Sequence, residues 1–93
     1  MIIINQEGKR FNFDNMLHYQ AVEYEDVGEV VCKMINNESW VLGTYDSFER
    51  AEEVVKELDN CYFNERFYTS NQMFERVIAI NTAPRIFKMP EEW

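Results

Sequence analysis

Asp46-Ser47-Phe48-Glu49-Arg50-Ala51-Glu52-Glu53-Val54-Val55-Lys56-Glu57-Leu58 carries the most regular pattern in the chain. Phe48, Ala51, Val54, Val55 and Leu58 recur three or four residues apart, the spacing of one helix face. Cys61 and Tyr62 continue the stripe. Charged residues fill the other positions, with Glu52 and Lys56 in the favourable i,i+4 order. Asp46 stands where a cap is needed, and Glu49 follows three residues later as the reciprocal partner of a capping box. The pattern predicts an amphipathic helix over 47–63.

Working outward toward the N-terminus, the period falls from 3.6 to 2. Ile2, Ile3 and Ile4 form a short apolar run ending at Gln6-Glu7-Gly8-Lys9, where Gly8 suits a tight turn. Residues 10–13 can return as a second short strand, and Asp14-Asn15 marks a turn. Residues 16–24 alternate, with Leu17, Tyr19 and Ala21 expected on one face. Glu25-Asp26-Val27-Gly28 reads as a turn. Residues 30–35 alternate again, with Val30, Cys32 and Met34 together. Asn36-Asn37 signals a hairpin because Asn tolerates positive φ. Trp40-Val41-Leu42 gives a further strand closed by Gly43. Beyond the helix, residues 76–80 and 85–89 can form short strands, with Pro84 and Pro90 as breaks. The fold class expected is α+β: one antiparallel sheet of about four strands, one amphipathic helix packed on it, and an irregular C-terminal tail. The 93 residues leave room for a single domain, 1–93. One helix covers only one face of a sheet, so a homo-oligomer (dimer or tetramer) is expected to cover the other.

Seventeen acidic residues against nine basic ones give a net charge of −8. That field disfavours nucleic acid polymers and anionic membrane surfaces as partners. It still permits a small anion held by a few focused arginines. The chain has no apolar run long enough for a signal peptide or a membrane span, so it reads as cytosolic. Cys32 and Cys61 lack the spacing of a zinc site and read as reduced, buried thiols.

Little in the sequence suggests catalysis. His18 is the one histidine and reads as structural. No serine stands in a nucleophile elbow, and three glycines cannot build a phosphate loop as well as the turns. Neither a cofactor nor a metal is expected. What remains is a run of binding-type residues after the helix face: Arg66, Phe67, Tyr68, Asn71, Arg76, Asn81, Thr82 and Arg85. Arginine forks onto phosphate, aromatic rings stack on bases, and Asn and Thr bond base edges or ribose. The same residues also read as core or interface aromatics among solvated arginines.

Three segments together, Asn12-Phe13-Asp14-Asn15, the run from Leu42 to Val54, and Phe87-Lys88-Met89-Pro90-Glu91-Glu92, resemble a group of small proteins from phages of Gram-positive bacteria. The likeness spans most of the chain. Its central pattern, Leu42-Gly43-x-Tyr45-x-Ser47-x-Glu49-x-Ala51, is largely a strand, turn and capped helix. Members of known role resemble anti-defence sponges of the anti-Thoeris and anti-CBASS kinds. The resemblance implies a symmetric oligomer in the host bacterial cytoplasm that sequesters a cyclic nucleotide signal without cleaving it. The segment between the helix and Lys88 is short beside the anti-Thoeris members, which turns the expected ligand toward a cyclic dinucleotide such as cyclic GMP-AMP. Two other roles compete with it: an acidic inhibitor that occupies a site on a host enzyme, and a phage structural or assembly protein.

Overall fold

The structure, a computed structural model, describes residues 1–71 and 86–92, with side chains described for 1–62 and 86–92. The chain runs β1 (Ile2–Ile4), β2 (Arg10–Asn12), a 3₁₀ turn (Phe13–Asn15), β3 (Met16–Tyr24), β4 (Val27–Met34), β5 (Ser39–Tyr45), α1 (Phe48–Asn71) and β6 (Ile86–Lys88). The α+β class is as expected. The single sheet of about four strands is not: among the described residues there are two three-stranded sheets, β2-β1-β6 and β3-β4-β5.

The division falls at residues 12–15. Asn12 Oδ1 accepts the Asp14 N–H at 3.0 Å, which tightens the 3₁₀ turn and redirects the chain before β3 begins. Strand β2 therefore pairs back on β1 rather than joining the larger sheet. The 85–89 segment, read as a strand within an irregular tail, contributes β6, which lies parallel to β1 with Phe87 opposite Ile3. The strand expected at 76–80 lies outside the described residues.

Helix α1 packs on the β3-β4-β5 sheet. Ala51, Val54 and Leu58 are fully buried against Val30, Cys32, Leu42 and Tyr45, with Val55, Cys61 and Tyr62 packed around them. The helix begins one residue later than expected and its backbone runs on to Asn71 rather than stopping at 63. Its cap is Ser47, whose Oγ accepts the Arg50 N–H at 3.1 Å, and not Asp46. Gly28 makes this start possible, because a Cβ there would collide with the Ser47 carbonyl.

Two bulges change the expected faces. One falls between Met16 and His18, so Met16 joins Tyr19 and Ala21 on the core side while Leu17 is left exposed. The other puts Leu42 opposite no residue of β4 and lets both Leu42 and Gly43 be buried. Strand β5 consequently runs through Gly43 to Tyr45. The hairpin before β4 is only Glu25-Asp26, with Glu25 at φ 47°.

The two sheets are joined by side chains from the β1–β2 turn. Gln6 Oε1 accepts the Thr44 N–H at 2.7 Å, and its Nε2 donates to the carbonyls of Thr44 and Pro90 at 3.2 and 2.8 Å. Buried Asn5 accepts the N–H groups of Glu7 and Lys9 on Oδ1, at 3.0 and 2.8 Å. Gly8, at φ 89°, completes the turn.

Candidate functional site

One cleft of about 340 Å³ opens where the β1–β2 turn meets the β4–β5 hairpin. Phe11 and Trp40 form its apolar wall, Lys9 its cation, and Asn15, Asn36 and Glu38 its polar rim. Each is positioned by local chain chemistry. The Asn5 side chain holds the backbone at Lys9. Strand β2 buries Phe11 at 4% exposure. The hairpin turns through Asn37 at φ 71°, with the Asn37 N–H donating to the Met34 carbonyl at 2.9 Å. Asn36 Oδ1 accepts the Glu38 N–H at 3.1 Å, which sets the rim. Trp40 follows on β5, opposite Cys32.

The wall is aromatic and the cation lies on it. The Phe11 and Trp40 rings meet edge to face with centroids 5.6 Å apart. Lys9 Nζ stands 3.7 Å from the Trp40 centroid and 5.8 Å from that of Phe11. An ammonium at that distance is attracted by the ring quadrupole, by about 0.5–1 kcal/mol at an exposed site. The cleft thus pairs a flat aromatic surface with one positive charge and nearby amides.

A second cluster ties the C-terminal segment to the helix. Arg50 forks onto Glu92, with Nη2 to Oε2 at 3.0 Å, and also meets Glu53 at 3.1 Å. The Glu92 carboxyl is held below its ordinary range by this hydrogen-bonded guanidinium. Tyr45 donates to the Pro90 carbonyl at 3.1 Å, and burial pushes its phenol up to about 12. Tyr19 donates to Asp59; burial, then that carboxylate, raise its phenol as well. Burial also raises the Cys32 thiol, which is inert packing rather than a nucleophile. These groups serve the fold.

The side chains singled out from sequence lie outside the described residues. Arg66, Phe67, Tyr68 and Asn71 belong to the backbone of the last turns of α1, and their side chains lie outside the described residues. Arg76, Asn81, Thr82 and Arg85 lie outside them altogether. His18 is exposed on β3. Among the described residues no three His, Cys, Asp or Glu side chains group as a metal site, and no helix is long and apolar enough to cross a membrane. Sequence reading missed Lys9 and Trp40 because only the turn at Asn5 and the pairing of β4 with β5 bring them together. The visible signal was a tryptophan just past a double-asparagine hairpin. No protein-family model, characterised protein or solved structure matches the chain.

Proposed function

We propose that this protein binds a small anionic ligand carrying an aromatic base, of the cyclic-nucleotide class, and releases it unchanged. The observation that supports this most is the Lys9 ammonium lying on the Trp40 face inside the cleft. A base stacks on the indole and the displaced ammonium meets a phosphate. Stacking of this kind contributes about 1–3 kcal/mol per base. The cleft is at the small end of ligand sites. It suits one base and its phosphate, so a cyclic dinucleotide needs a second contact surface. Arg66, Arg76 and Arg85, with Phe67 and Tyr68, are the proposed source of that surface. In this reading the protein is a sponge that lowers the concentration of a signal, as the resemblance to anti-defence proteins implies.

A thermal-shift screen with cyclic dinucleotides, cyclic trinucleotides and cyclic ADP-ribose isomers tests this. A ligand that binds only the folded state raises the melting temperature by mass action. Trp40→Ala is expected to remove the shift given by the best ligand. A shift that persists in Trp40→Ala and vanishes in one of the arginine variants places the site after the helix. No shift with any member contradicts the proposal.

One observation favours a second reading, inhibition of a host protein through an acidic surface. Glu49, Glu52, Glu53, Glu57 and Asp59 are all exposed along α1. Pulling down a basic host protein with the wild type, but not after charge reversal at Glu49, Glu52 and Glu53, would support it over the first.

A further inference from the structure

On the face of the β3-β4-β5 sheet turned away from α1, the side chains form an ordered pattern. Gly28, Val30 and Cys32 point to the core, so Val27, Glu29, Val31 and Lys33 point outward. Strand register sets their neighbours. Val31 is flanked by Gln20 and Val41, Glu29 by Val22 and Thr44, and Lys33 by His18 and Ser39, while Val27 pairs with Tyr24. Tyr24 and Val41 are 59% and 42% exposed. Val31 and Val41 stand at the centre of this face beside Gln20, and its one acidic and one basic β4 residue stand symmetrically about Val31.

We propose that this face docks on the same face of a second copy, about a two-fold axis that crosses β4 at Val31. The charge pattern selects both the partner and the axis. An axis running along β4 would set Glu29 on the partner's Glu29 and Lys33 on the partner's Lys33. An axis across β4 reverses the strand, so Glu29 meets the partner's Lys33 twice while Val31 packs on its counterpart. A two-fold interface must be complementary to itself, and this arrangement is. Sheets stack about 10 Å apart, a gap that long Glu and Lys side chains bridge from both sides. The inference does not depend on the ligand reading.

Light scattering at micromolar concentration tests it. The chain mass is 11.2 kDa, and the wild type is expected at a multiple of that mass. Glu29→Lys sets like charges against each other twice and is expected to reduce the mass to the monomer. Lys33→Glu alone is expected to do the same. The double variant Glu29→Lys/Lys33→Glu swaps the pair and restores the oligomer. Both positions face outward, and an unchanged far-ultraviolet circular dichroism spectrum shows that each variant folds. A monomeric wild type overturns the proposal and leaves the face to another segment or partner. Oligomers that survive both single reversals, or monomers that the double reversal does not rescue, overturn the axis.

Discussion

Gln6 pairs with Thr44 as a strand would: its side-chain amide accepts the Thr44 N–H and donates to the Thr44 carbonyl. One residue of the β1–β2 turn thereby extends the edge of β5 and fixes the small sheet to the large one. The same amide holds the Pro90 carbonyl. Gln6→Ala leaves three part-buried backbone groups without this partner, and such losses cost about 1–3 kcal/mol each when water does not replace them. A loss of about 2–3 kcal/mol in urea denaturation is expected. A change under about 0.5 kcal/mol would show that the sheets hold together without this link.

The helix face gives a second expectation. Leu58 is fully buried, and Leu58→Ala is expected to cost about 2–5 kcal/mol. Phe48, only partly buried at the first turn, should cost less when truncated. Reversal of that order in chemical denaturation would place the packed stripe elsewhere on the helix.

The cap supplies a sharper comparison of neighbours. Ser47→Ala removes the acceptor of the Arg50 N–H and is expected to cost about 1 kcal/mol. Asp46→Ala should cost only a few tenths. Equal losses, or a larger loss at Asp46, would return the cap to the residue that sequence spacing favoured.

That pair shows what local sequence can and cannot carry. The 3.6 period of Ala51, Val54 and Leu58 comes from one face of one element, so it is legible without tertiary structure. The strands at residues 2–4 and 16–24 were legible for the same reason. The choice between Asp46 and Ser47 depends on how the chain leaves β5, which bulges at Leu42. The inward turn of Met16 depends on a bulge that alternation cannot reveal. The separation into two sheets rests on Asn12 and on Gln6, whose bonds reach β5 and Pro90 from the far end of the sequence. The cleft is less legible still, because Lys9 and Trp40 share no motif and meet only after β1, β2 and β5 are assembled.

Alkaline pH probes the buried tyrosine at the junction. The folded state raises the Tyr45 phenol to about 12, chiefly by burial, against about 10 in the unfolded chain. The neutral form is the one the fold favours. Its contribution is therefore whole below about pH 10 and is lost as pH rises toward 12. Tyr19, raised in the same direction, adds to the loss. Stability is expected to fall across that window, with phenolate absorbance and unfolding rising together. A Tyr45 phenolate signal, read as the difference between wild type and Tyr45→Phe, that rises near pH 10 while the fold persists would show Tyr45 open to water.

Ligand binding at the cleft is the central proposal, and direct recovery of ligand tests it best. The protein is mixed with a panel of cyclic nucleotides, the unbound fraction is measured, and the complex is then heated to release what it holds. The expected result is depletion of at least one cyclic nucleotide from solution, its recovery intact by chromatography, and loss of depletion in Trp40→Ala with the fold retained. Recovery of a cleaved product would reveal an enzyme, and no depletion of any nucleotide would contradict binding altogether.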